Sequence, residues 1–222
     1  MPRPLIILLI VTAILAAVFV TFPQIDIWMT GQFYDPQNGG FWLKNNPIIL
    51  VFYYLVKYAR YAMPVVFAVL LAANFLTKKK FLFGRRELAF LFLAALLGPI
   101  IVTGFFKDYW HRARPVQTIE FGGDKPFTRA FEISHYCPTD CYSFVSGHAA
   151  MGFFFVAFAL VIASARKRKK AYICLFLLGM VIAFARVMQG AHYLSDVVFG
   201  GLFTLISTHA LYYLMYRKVT PS

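Results

Sequence analysis

One eleven-residue run, Arg-Val-Met-Gln-Gly-Ala-His-Tyr-Leu-Ser-Asp at 186–196, carries three residue types that together handle a phosphate. His192 and Asp196 are four positions apart, so on one helix face an imidazole and a carboxylate can meet. A carboxylate so placed fixes the histidine's tautomer and leaves its other nitrogen free to attack. Arg186 adds a planar fork of donors suited to phosphate oxygens. A salt-bridged helix end would read the same way, so this stretch does not decide the matter alone.

Two further stretches bear on it. In Lys107-Asp-Tyr-Trp-His-Arg-Ala-Arg114-Pro115, two cations stand where Pro115 stiffens the chain; alone, they read equally well as a snorkelling basic cluster. In Ser146-Gly147-His148, a helix start offers free N–H groups and a positive dipole end, the makings of an anion site. Gly147 allows close backbone approach, and the Ser146 hydroxyl can either cap the helix or bind an oxyanion.

The rest of the chain must bring these stretches together. It has 222 residues, 60% hydrophobic and 14% charged, and several apolar runs reach the roughly 18 residues of a membrane-spanning helix. The reading is an all-α polytopic membrane protein, one domain over 1–222, with six spans. They run over Leu5–Phe22, about Tyr61–Leu76 (after an interfacial beginning from Ile48), about Leu88–Phe106, His148–Ala165, Ala171–Val187 and Val197–Tyr216. Gly98-Pro99 is an expected kink in the third.

The net charge of +13 could point to nucleic acid, but its distribution argues otherwise. Arg3, Lys78, Lys79, Lys80, Arg85, Arg86, Arg166, Lys167, Arg168, Lys169, Lys170, Arg217 and Lys218 all fall on one side, against the single acid Glu87. That is the positive-inside asymmetry. It places both termini in the cytoplasm and leaves little excess for nucleic acid; no obligate protein partner is evident either. Lys107 and Arg114 then follow the third span, Ser146 to His148 open the fourth, Arg186 ends the fifth, and His192 with Asp196 opens the sixth. All sit on the outer face, and three cations, an anion-binding helix start and two histidines suit a phosphate.

These motifs, Lys107-x6-Arg114-Pro115, Ser146-Gly147-His148 and Arg186-x5-His192-x3-Asp196, resemble those of the type 2 phosphatidic acid phosphatase superfamily, whose core they place within 87–216. Val145 and Ala185 depart from the usual flanking residues without removing a catalytic group. The resemblance implies a phosphate monoester hydrolase in which His192 attacks phosphorus to form a phosphohistidine and Asp196 orients it. His148 would protonate the leaving alcohol, and Lys107, Arg114, Arg186, Ser146 and Gly147 would hold the phosphoryl oxygens. It implies no metal and no cofactor. The surroundings, Phe-Gly-Gly-Asp-Lys at 121–125 and Cys137-Pro-Thr-Asp-Cys141, look most like bacterial lipid A phosphatases acting in the inner membrane with a periplasmic site. Undecaprenyl pyrophosphate and phosphatidylglycerol phosphate phosphatases share the motifs. From another class, a phosphate-lipid transporter or flippase also fits the basic mouth, though it calls for charges deep in the spans.

Two features stay open at this level. Cys137 and Cys141 lie in an outer loop where an oxidising compartment favours a disulfide; unlinked thiols, or a zinc site with His135, are the alternatives. Lys57 and Arg60, on one helix face with Tyr53 and Tyr61, are expected at the outer interface. There they either snorkel to headgroups or grip a second anionic group of a bis-phosphorylated glycolipid.

Overall fold

The computed structural model describes residues 2–77, 83–137 and 139–216; Lys78, Lys79, Lys80, Arg217 and Lys218 of the expected cytoplasmic side lie outside the described residues. The chain folds as a helical bundle. It comprises α1 (Arg3–Thr21), α2 (Gln24–Gly31), a two-strand antiparallel hairpin (Tyr34–Asp35, Gly40–Phe41), α3 (Pro47–Thr77), α4 (Arg85–Leu96), α5 (Thr103–Trp110), α6 (Gly147–Phe154), α7 (Val156–Leu160), α8 (Ala165–Met188) and α9 (Leu194–Tyr216).

By length and composition, five helical stretches among the described residues can cross a membrane: Arg3–Thr21, Pro47–Thr77, Arg85–Gln117, Ala165–Met188 and Leu194–Tyr216. Their outward faces are apolar, as with Ile7, Val65 and Val181, which suits lipid rather than water. The fourth expected span is different. Gly147–Leu160 is only 14 residues, about 21 Å at helical rise, and thus shorter than the roughly 30 Å bilayer core. It lies inside the bundle, with Ala149, Ala150, Met151, Phe154, Val156, Ala157 and Ala159 fully buried among α3, α8 and α9. The lipid-facing work falls to its neighbours, so it need not match the bilayer.

The expected break in the second span does not occur: α3 is one continuous helix of 31 residues. At about 1.5 Å per residue it is longer than the hydrocarbon core by several turns. Its first turns therefore reach beyond the core and can carry Lys57 and Arg60 without a break. At Gly98-Pro99, where a kink is expected in the third span, Pro99 has no N–H to give and the helix widens into a π turn over Leu97–Val102. There Thr103 sends its N–H to the Gly98 carbonyl and its hydroxyl to the Pro99 carbonyl at 2.6 Å.

The central helix is gripped through small residues. A Cβ placed on Gly152 would lie 3.2 Å from the Cα of Gly179, so α6 and α8 meet backbone to backbone. On the other side, a Cβ on Gly200 would stand 2.6 Å from the Ser146 carbonyl oxygen. Rigid backbone cannot yield as a flexible side chain can. Gly200→Ala should push α9 off the start of α6 and cost about 1–3 kcal/mol, read as a lowered Tm in detergent. Gly104→Ala, with open space around it, should leave the Tm unchanged or slightly raised. Equal effects of the two would contradict this packing.

Candidate active site

The three motifs and α3 meet at one end of the bundle. A cavity of about 150 Å³ there is lined by Lys57, Arg60, Lys107, Arg114, Arg186, Gly147, His148 and His192, with Tyr53, Val56 and Tyr61 completing the wall. Five of these are cations, and no carboxylate lines the space.

His192 is placed by the way α8 ends. Gln189 caps the helix and Gly190 follows at φ 64°, the left-handed turn that glycine adopts without strain. A Cβ on Gly190 would also overlap the Phe41 ring, so the hairpin closes over this corner. The chain reverses and presents His192 one turn before α9 begins. Its Nδ1 lies 2.8 Å from the Ser143 carbonyl oxygen. A carbonyl only accepts, so Nδ1 carries the proton and Nε2 is left as the bare nitrogen. Asp196 stands beside the same nitrogen as expected, its Oδ2 3.7 Å from Nδ1 at ion-pair distance, while the direct hydrogen bond goes to the Ser143 carbonyl. Burial pushes the imidazole from its ordinary 6.5 down to about 3, against the pull of Asp196. The ring is therefore neutral at any physiological pH.

Asp196 is itself fully buried and saturated. It accepts from Arg112 Nη1 at 2.6 Å, from the Ser143 hydroxyl at 2.5 Å and from the Tyr193 N–H at 2.8 Å. Arg112, also fully buried, turns its other nitrogen to Asp26 at 2.8 Å and its Nε to the Thr128 carbonyl at 2.9 Å. Asp26 in turn accepts from the Ser195 N–H and hydroxyl. The guanidinium stacks over Tyr193, 4.5 Å from its centroid. The Tyr193 phenol bonds Thr118 at 2.9 Å, and burial raises it above its usual range, so it stays neutral.

The cations are held by neutral groups. Lys107 donates to the Tyr142 carbonyl at 2.6 Å, and Arg186 donates to the Gln189 side-chain oxygen and lies over the Tyr53 ring. Tyr53 also stacks on His148 at 4.7 Å, and its carbonyl lies 3.3 Å from His148 Nε2. One tyrosine thus supports two motif residues. Arg60 gives Nη2 to the Thr103 hydroxyl at 2.6 Å.

Not every expected site residue faces the cavity. Ser146 is fully buried and absent from the lining, and its hydroxyl accepts the Ala149 N–H as a helix cap. Of its two roles it takes the capping one. Lys57 is exposed and Arg60 half-buried, and both line the cavity. Cys137 and Cys141 are joined by a disulfide, so neither sulfur can serve the zinc alternative with His135. Among the described residues no three His, Cys, Asp or Glu side chains gather as a metal site. The sequence reading missed Arg112, Asp26, Ser143 and Ser195, and placed Tyr53 beside Lys57 and Arg60 without its contacts to His148 and Arg186. The one available signal was Arg112, a third cation inside the Lys107–Arg114 motif.

A second, apolar cavity of about 140 Å³ adjoins the first and shares Tyr53, Val56, His148 and Arg186 with it. Ile48, Phe52, Leu178, Val181 and Ile182 complete its walls, between α3 and α8.

The family pattern of the PAP2 superfamily matches residues 88–220. A lipid A 4′-phosphatase of Francisella tularensis subsp. novicida is 36% identical over 206 residues, covering 90% of each chain. A lipid A 4′-phosphatase of Rhizobium etli is 31% identical over 221 residues, covering 89% of this chain and 81% of that protein. A lipid A 1-phosphatase of Rhizobium etli is 37% identical over 128 residues, covering 54% and 48%. No solved structure matches the chain.

Two outcomes follow from this geometry. Arg112→Met would leave Asp26 and Asp196 buried without their cation, and should cost about 3–5 kcal/mol; a Tm within a degree or so of wild type would refute a structural ion triad. The second concerns pH. The unfolded chain protonates His192 near 6.5, the folded chain only near 3. The contribution is therefore full above pH about 6.5 and is lost progressively as pH falls through that window. Acidification from about pH 7 to about pH 4 should lower the wild-type Tm more than that of His192→Gln. Parallel curves would show that His192 titrates alike in both states.

Proposed function

We propose, from the premise that the chain belongs to the PAP2 superfamily, that it is an integral-membrane lipid A phosphatase that removes the 4′-phosphate through a phosphohistidine. The observation carrying this reading is the cavity in which a neutral imidazole, its Nε2 bare, faces five cations and no acid. Support for a lipid comes from the apolar cavity beside it, since a lipid phosphate needs both kinds of surface. Support for the 4′ position comes from the relatives matched over most of their length, both of which are 4′-phosphatases.

The steps follow from the contacts. The phosphoryl oxygens lie against Lys107, Arg114 and Arg186 and the free N–H groups at the start of α6. His192 Nε2 gives its lone pair to phosphorus, and the bond from phosphorus to the sugar oxygen breaks. Bound phosphate, an anion beside the ring, favours the protonated form of His148. His148 gives that proton to the oxygen as it leaves, then takes a proton from the water that cleaves the phosphorus–nitrogen bond. The positive charge growing on the His192 ring is met by the Ser143 carbonyl at Nδ1 and by Asp196 behind it. Fixed cations neutralise the phosphoryl charge, so no step calls for a metal or cofactor. The reading places the protein in a bacterial inner membrane, both termini cytoplasmic. The site opens to the periplasm, opposite Arg166, Lys167, Arg168, Lys169 and Lys170.

The test is mass spectrometry of lipid A incubated with purified protein in detergent and chelator. Loss of one phosphate, at the 4′ position, is expected, with an acid-labile, alkali-stable phosphoenzyme. His192→Ala should abolish it, and His148→Ala should slow it by about 10²–10⁴-fold. Loss only at the 1 position would correct the regiochemistry. No loss at all, with release from undecaprenyl pyrophosphate instead, would overturn the substrate.

A further inference from the structure

Arg60 is a cation in the cavity wall that none of the three motifs accounts for, and it is nonetheless built in place. It comes from α3, outside the matched segment 88–220. Its guanidinium is fixed on one side by the Thr103 hydroxyl at 2.6 Å. That hydroxyl spends its own hydrogen on the Pro99 carbonyl, also at 2.6 Å, so toward Arg60 it can only accept. Thr103 is fully buried at the end of the π turn, so the bend in the third span supplies a rigid seat. On another side Arg60 Nη1 lies over Gly147, where any Cβ would overlap it. Its Nε is buried without a hydrogen-bond partner. Among the described residues Arg60 makes no ion pair.

A half-buried guanidinium whose buried Nε has no acceptor and which has no counter-ion calls for an anion. Its position decides which. Arg60 lines the same cavity as Lys107, Arg114, Arg186, His148 and His192, and its Nη1 stands against Gly147, where α6 begins. The anion within its reach is the one that the motif cations and that helix start would hold.

We infer that Arg60 is a fourth cationic ligand of the scissile phosphoryl group, seated by Thr103 against Gly147, and is not an anchor for a distant part of the substrate. This rests on the phosphatase reading, and it identifies Gly147 as glycine for a second reason. The absent Cβ leaves room for Arg60 as well as for the phosphate. Lys57, exposed at the rim, is left for whatever lies outside the cavity.

The experiment compares wild type with Arg60→Ala, Arg60→Lys, Thr103→Val and the Arg60→Ala/Gly147→Ala pair, all at equal folded abundance judged by Tm. Substrates are lipid A and a short-chain soluble phosphate monoester, and inorganic phosphate is the binding probe. Arg60→Ala should lower kcat on both substrates alike, by about 10²-fold as for loss of one transition-state donor. It should also weaken inorganic phosphate binding by about tenfold or more. Arg60→Lys should recover part of the loss, and Thr103→Val should mimic it weakly. Gly147→Ala should cost about tenfold less in the Arg60→Ala background than alone, because the overlap is gone. A loss on lipid A with the soluble ester unaffected would overturn the proposal in favour of a remote anchor. Unchanged phosphate binding, or a fallen Tm with no rescue by lysine, would make Arg60 structural and equally overturn it. If wild type frees no phosphate from lipid A yet phosphate binding depends on Arg60, the lipid reading fails while this assignment stands.

Discussion

The buried triad Asp26–Arg112–Asp196 is the interaction on which the site end of the molecule depends. Arg112 is fully buried and contacts both carboxylates at 2.8 and 2.6 Å. Such a charge is tolerated only when paired and saturated with hydrogen bonds, and here every arm of the guanidinium has an acceptor. Three elements distant in sequence are thereby tied: α2 through Asp26, the turn after α5 through Arg112, and the start of α9 through Asp196. The same Asp196 grips the Ser143 hydroxyl, and the Ser143 carbonyl grips His192. Orientation of the His192 ring is thus inherited from an ion pair two contacts away.

Much of this was legible in the sequence because its signals are local. The apolar runs, the basic clusters and the three motifs each lie within a short window. The i, i+4 spacing does bring His192 and Asp196 to ion-pair distance, 3.7 Å, although α9 begins only at Leu194. His192 sits in the turn that Gly190 makes, so its ring also meets a carbonyl 49 residues upstream. No spacing within 186–196 could show that partner. Asp26 was invisible for the same reason: 86 residues separate it from Arg112.

The break expected before Tyr61 has a different cause. Reading a charge in an apolar run as a break uses the cost of placing ions in lipid. That cost vanishes where the helix turns a charged side chain to a protein-lined cavity, as α3 does with Arg60. The fourth span shows a second limit. Its run is apolar because it is the core of the bundle, sheathed by α3, α8 and α9. Hydropathy reports what a helix avoids, and cannot say whether lipid or protein replaces the water.

The chemistry of the tethers explains how five cations can stand together and still be useful. Lys107 is held by the Tyr142 carbonyl, Arg186 by Gln189, and Arg60 by Thr103. Each acceptor is neutral. Carboxylates in those places would hold the side chains more firmly, at about twice the strength of a neutral bond, but each would also cancel one unit of the field aimed at the phosphate. The buried acid beside His192, Asp196, is kept from doing so by Arg112, with the Ser143 hydroxyl and the Tyr193 N–H on its remaining lone pairs. The fold therefore separates two tasks. Opposite charges are paired where rigidity is needed, and like charges are gathered on neutral supports, where their mutual repulsion favours an anion between them.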